Sequence, residues 1–86
     1  MKLAVVGGGI TGLAAAHRAV ELARERGLPL ELTLLEARDR LGGTIATELS
    51  DGFLVEAGPD SFLSEKPWAL ALCRRLGVED RLVRTD

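Results

Sequence analysis

Cysteine occurs once in the 86 residues, as Cys73, and histidine once, as His17. An internal disulfide is therefore excluded, no Cys/His set with metal-ligand spacing exists, and a reducing, cytoplasmic setting is the expectation. Tyrosine is absent and the aromatics are Phe53, Phe62 and Trp68, too few to stack the bases of a single strand. Charge of one sign is lacking as well. The 11 basic and 13 acidic residues are interleaved to a formal net charge of −2, which leaves no basic field for a phosphate backbone, so no nucleic-acid partner is expected. Long apolar runs are missing too. Leu3 to Val6 ends at Gly7-Gly8-Gly9, too soon for the apolar centre of a signal peptide, although Lys2 in front and Ala14 to Ala16 behind imitate one. No signal and no membrane span are expected.

What is present suits a folded chain. With 47% hydrophobic and 28% charged residues the composition is globular, and the length allows one small domain with a thin core. A compact chain of this size would have a radius of gyration of about 12 Å.

Leu3-Ala4-Val5-Val6 is continuous rather than alternating, the pattern of a strand buried on both faces of a parallel sheet. From Thr11 a helical pattern begins, with Leu13, Ala16, Val20 and Ala23 on one stripe and Leu22 opposite it. Gly27 is placed to end that helix and Pro29 to keep it from resuming. Leu30 to Glu36 reads as a second strand, which makes a βαβ unit. Ala37 to Gly43 is a polar loop. Thr44 to Leu49 and Phe53 to Glu56 flank Ser50-Asp51-Gly52, an Asp-Gly signal for a β-hairpin. A last helix is expected from near Pro67 to Gly77, with Ala69, Leu72, Cys73 and Leu76 on its apolar face.

The chemistry-bearing segment is Gly7-Gly8-Gly9-Ile10-Thr11-Gly12, a G-x-G-x-x-G set between a strand and a helix. The first glycine permits the tight turn, the second lets backbone N–H groups approach a pyrophosphate, and the third lets helix and strand pack closely. The helix N-terminus adds unpaired N–H donors and a partial positive charge. Glu36, at the end of the second strand, is placed to accept hydrogen bonds from the two hydroxyls of an adenosine ribose and to repel a 2′-phosphate. Dinucleotide binding is the reading.

Leu35-Glu36-Ala37-Arg38-Asp39-Arg40-Leu41-Gly42-Gly43-Thr44 resembles the second signature of the flavin-containing amine oxidase and protoporphyrinogen oxidase superfamily, where a glycine pair follows the ribose-binding acid. A second glycine turn adds N–H donors, and an arginine nearby offsets phosphate charge. Both Arg38 and Arg40 can also be read as solvated loop residues. Gly52 to Phe62 is similar to protoporphyrinogen oxidases more than to amine oxidases, through Glu56-Ala57-Gly58-Pro59. By residue physics alone this stretch is a Gly-Pro turn closing the hairpin.

The resemblance runs from Met1 to about Leu82. It implies an α/β, Rossmann-like βαβ FAD-binding fragment with a β-hairpin and a C-terminal helix, residues 1–86 forming the N-terminal part of the FAD-binding domain of a longer enzyme. The cofactor-binding residues it implies are Gly7, Gly8, Gly9, Ile10, Thr11, Gly12, Glu36, Ala37, Arg38, Gly42, Gly43, Thr44, Gly58, Pro59, Asp60 and Ser61. The implied reaction is oxidation of protoporphyrinogen to protoporphyrin in haem biosynthesis, with oxygen as acceptor. The flavin carries that chemistry, so no catalytic side chain and no metal are expected in this segment, nor turnover by the segment alone. The full-length enzyme would meet its porphyrinogen substrate elsewhere, with peripheral membrane association as a further expectation, and the open sheet edge is a route to self-association. Two alternatives stay open: the same fragment from an amine oxidase or carotenoid desaturase relative, and a stand-alone nucleotide-binding or interaction module without catalysis. His17, without an evident partner, Cys73, Glu56 and Trp68 are assigned structural or solvated roles.

Overall fold

The computed structural model describes residues 1–59 and 61–84. In chain order the elements are β1 (Lys2–Val6), α1 (Ile10–Glu25), β2 (Glu31–Leu35), β3 (Thr47–Ser50), β4 (Phe53–Glu56), α2 (Pro67–Leu76) and a short 3-10 turn (Glu79–Arg81). β1 and β2 pair in parallel from Lys2 opposite Glu31 to Val6 opposite Leu35. Gly7 N–H extends the ladder by donating to the Leu35 carbonyl (2.7 Å). The βαβ expectation holds.

α1 lies on the sheet face that carries Leu3, Val5, Leu32 and Leu34, where Val5, Leu32 and Leu34 are half-buried and Ala16 is the buried helix residue. Leu22, which the stripe left unexplained, lines a shallow cavity of about 150 Å³ with Leu3, Ala19, Leu28 and Leu30. The chain returning through Leu28 and Leu30 widens the apolar contact beyond one stripe. Both helices end in the same way. Leu28 N–H bonds to the Ala23 carbonyl and Val78 N–H to the Cys73 carbonyl, with Gly27 and Gly77 in the left-handed region between.

β3 and β4 form a hairpin with Ser50 opposite Phe53, and Asp51 and Gly52 both adopt positive φ, as a two-residue I′ turn requires. The expected boundaries shift here. Ser50 belongs to the strand rather than the turn, and the strand starts at Thr47 rather than Thr44, because Ile45 N–H bonds back to the Gly42 carbonyl and folds residues 42–45 into a turn.

Burial corrects the sequence reading more strongly. β1 is not covered on both faces: Val6 is 83% exposed, and Leu35 beside it is also exposed, since α1 is the only element laid on this sheet among the described residues. Ala16 and Gly8 are the only buried residues described, and the radius of gyration is 15.5 Å. Neither the hairpin nor α2 packs on the βαβ sheet among the described residues, so the core is thin, with Ala16 its buried apolar residue. Trp68 at the exposed start of α2 is not a packing residue here.

Ion pairing ties α2 to α1. Arg75 Nε donates to both oxygens of Glu21 (3.0 and 3.1 Å), and Arg18 and His17 flank the same carboxylate. Partial desolvation raises the Glu21 pKa, but the neighbouring Arg75 and then His17 and Arg18 outweigh it and hold the group below the usual range. His17 therefore has an acidic partner one helical turn away, contrary to the sequence reading, and that partner is part of a structural cluster. No helix among the described residues is long and apolar enough to cross a membrane.

Candidate functional site

The first glycine turn forms as its spacing implies. Gly7 sits at φ +100°, a conformation that L side chains rarely adopt, and reverses the chain between β1 and α1. At Gly12 an added Cβ would fall on the Gly7 carbonyl oxygen, so the first turn of α1 rests directly on the strand end. Gly9 is the N-cap of α1, and the first intrahelical bond runs from Leu13 N–H to the Gly9 carbonyl (2.9 Å). Amides preceding Leu13 have no acceptor within the helix, and together with the helix dipole they favour an anion there.

The second glycine turn lies against the first. Gly42 N–H donates to the Gly8 carbonyl (2.7 Å), and Gly9 and Gly42 form a parallel bridge. A Cβ on Gly43 would stand 3.0 Å from Gly9 Cα, so the two turns meet backbone to backbone. This juxtaposition was not derivable from spacing, because about thirty residues of α1 and β2 intervene and only their packing brings the ends together.

Glu36 joins the two turns. Its Oε1 accepts from Gly8 N–H (2.8 Å) and its Oε2 from Arg38 N–H (2.9 Å). The Arg38 bond and then the Gly8 bond hold the carboxyl below the ordinary carboxylate range. Each oxygen keeps a second lone pair for an incoming hydroxyl. The arginines stay exposed but are not free loop residues: Arg38 Nη1 (3.3 Å) and Arg40 Nη2 (2.8 Å) both donate to the Gly43 carbonyl. Arg40 is not among the cofactor-binding residues the resemblance implies, and its distance from Gly43 along the chain does not reveal that the loop curls back upon it.

Gly58 joins the assembly from the hairpin side. A Cβ there would fall on the Thr44 carbonyl oxygen, and Ala57 N–H bonds to the Ala46 carbonyl (2.8 Å). Pro59 and Ser61 are exposed beyond it, and Asp60 lies outside the described residues. Ile10, Thr11 and Ala37 are exposed around the head of α1 and the start of the loop. The structure thus brings Gly7 to Gly12, Glu36, Arg38 and Gly42 to Thr44 together, with Gly58 abutting Thr44. No cluster of His, Cys, Asp or Glu suited to a metal ion occurs among the described residues. The arrangement offers amide donors, one carboxylate and two guanidinium groups, a donor set for a phosphorylated nucleoside rather than for acid–base chemistry.

The Glu36 tie should depend on pH. A folded-state pKa below the unfolded value means that its stabilisation is fully present above the ordinary carboxylate range and is lost as pH falls through the lowered folded value. Amide exchange read at Gly8 and Arg38 should show protection declining on acidification in that window, and Glu36→Gln should remove the pH dependence. Unchanged protection through the acidic window would refute the tie.

Residues 10–86 match the family model described as flavin containing amine oxidoreductase. A coproporphyrinogen III oxidase of Bacillus subtilis (strain 168) is 53% identical over 79 residues, 92% of this chain and 17% of that protein. Protoporphyrinogen oxidase 1, chloroplastic, of Arabidopsis thaliana is 42% identical over 82 residues, 95% of this chain and 15% of that protein. The crystal structure of a "putative protoporphyrinogen oxidase" from Exiguobacterium sp. 255-15 superposes with a TM-score of 0.81 at 49% identity, covering 99% of this chain and 18% of the other. The chain spans less than a fifth of the length of each of these relatives.

Proposed function

The chain belongs to the flavin containing amine oxidoreductase family, and on that premise we propose that it is the part of an FAD-dependent porphyrinogen oxidase that grips the ADP moiety of the cofactor. The observation that carries this reading is the second glycine turn docked on the first, with Glu36 bonded to Gly8 in one and to Arg38 at the root of the other. Amides at the head of α1 would receive the pyrophosphate, Glu36 the ribose hydroxyls, and Arg38 would offset phosphate charge. The close backbone contact of Gly9 with Gly43 fits the group, because a side chain at either position would occupy the approach.

When bound, the flavin supplies the hydride acceptor, and this segment supplies binding and orientation. The substrate class comes from the relatives' names. Coproporphyrinogen III is the first substrate to assay in the parent enzyme, because a relative named for it shares 53% identity against 49% and 42% for two named for protoporphyrinogen. Protoporphyrinogen is the second.

Titration calorimetry with ADP and 2′-phospho-ADP tests the binding half of this reading. ADP should bind about tenfold or more tightly than its 2′-phosphorylated analogue, since Glu36 repels the extra phosphate, and Glu36→Gln should narrow the gap. Equal affinities for the two nucleotides in the unsubstituted protein would remove Glu36 from the ribose site.

A further inference from the structure

The loop between Glu36 and Thr44 carries an arginine whose contacts are all to its own backbone turn. Arg40 Nη1 donates to the Leu41 carbonyl (3.3 Å) and Nη2 to the Gly43 carbonyl (2.8 Å), so one planar fork spans two peptide units. In a trans peptide the C=O and the following N–H point in opposite directions. Holding the Leu41 carbonyl therefore aims Gly42 N–H away from the guanidinium, and that N–H is the one bonded to the Gly8 carbonyl (2.7 Å). Holding the Gly43 carbonyl likewise turns Thr44 N–H to the side opposite the arginine. The two residues between, Gly42 at φ +107° and Gly43 at φ +59°, have no side chains with which to restrict themselves and lose more freedom on ordering than other residues. Their conformation needs an external support, and Arg40 is the residue that reaches both flanking carbonyls.

We propose that Arg40 is a positioning residue that locks the second glycine turn against the first and so preforms the nucleotide cradle without itself touching the nucleotide. The inference rests on the ADP-binding reading and adds a division of labour to it. Arg38, which makes a single longer bond to Gly43 (3.3 Å) and whose own N–H is anchored by Glu36, is the guanidinium left available for phosphate charge. Arg40 acts on the ligand only through peptide orientation.

The experiment uses the full-length parent protein in three forms: unsubstituted, Arg40→Ala and Arg40→Lys. Amide exchange of the apoprotein is read first. Gly42 N–H should exchange about tenfold faster in Arg40→Ala, the effect of loosening one preorganised hydrogen bond, while β1 and β2 amides keep their protection. FAD affinity is then measured across ionic strength. Both variants should bind about tenfold more weakly, lysine included because an ammonium lacks the planar fork, and the dependence on salt should match that of the unsubstituted protein. Unchanged Gly42 exchange in Arg40→Ala overturns the proposal. So does full affinity in Arg40→Lys with a flatter salt dependence in Arg40→Ala, which would make Arg40 a direct phosphate ligand. Failure of the unsubstituted protein to bind FAD or ADP would instead overturn the nucleotide-binding reading, whatever the exchange data show.

Discussion

Replacing Gly12 with alanine is expected to cost the parent protein about 3 kcal/mol of stability, the upper end of what overpacking a close contact usually costs. The added methyl would be built onto the Gly7 carbonyl oxygen, so α1 must lift off the end of β1. The obstacle is backbone, not a flexible side chain that can swing aside. Gly7 is fixed by its N–H bond to the Leu35 carbonyl and by its positive φ. Because the displaced element is the N-terminal turn of α1, flavin content should fall along with stability. Chemical denaturation of the purified apoprotein is the measurement, and a loss under about 0.5 kcal/mol, within the range of an ordinary surface substitution, would show that the helix does not sit where the structure places it.

Gly9→Val should separate cofactor binding from folding. Gly9 has an extended conformation that valine tolerates (φ −77°, ψ −173°), and a Cβ there would lie 3.7 Å from Gly43 Cα, an ordinary contact. The apoprotein should therefore stay within about 1 kcal/mol of the parent. The valine side chain, however, adds bulk at the head of α1 beside Gly43, where the phosphates are proposed to approach. Flavin binding should weaken by about a hundredfold or more, the cost of losing one or two charge-assisted amide contacts. Flavin absorbance per mole of purified protein reads the first effect and thermal unfolding of the apoprotein the second. A Gly9→Val protein that retains a full complement of flavin would remove the glycine turn from the cofactor site.

Legibility differed by element, and the differences have causes. Local rules sufficed for the G-x-G-x-x-G turn, the two glycine-terminated helices and the Asp51-Gly52 hairpin, because each depends on backbone conformations that few residue types adopt. The parallel pairing of β1 with β2 followed from the order strand, helix, strand. Strand limits near Thr44 were misjudged because a hydrogen bond between Ile45 and Gly42 competes with extension. Burial was misjudged further. A continuous apolar run such as Leu3 to Val6 says that both faces suit burial, but which faces are covered depends on what else is packed there.

The sequence by itself therefore determined the βαβ frame, the place of the glycine turns along the chain and the acid at the end of β2, since short-range backbone sterics and apolar periodicity set all three. Only the tertiary structure decided that the two glycine turns touch, that Glu36 binds Gly8 as well as its own loop, and that Arg38 and Arg40 converge on Gly43. Those contacts join residues brought near by the packing of α1 across the parallel pair. Their distances are set by how closely a helix can approach a strand at Gly12, a quantity of three-dimensional packing that residue order does not encode locally.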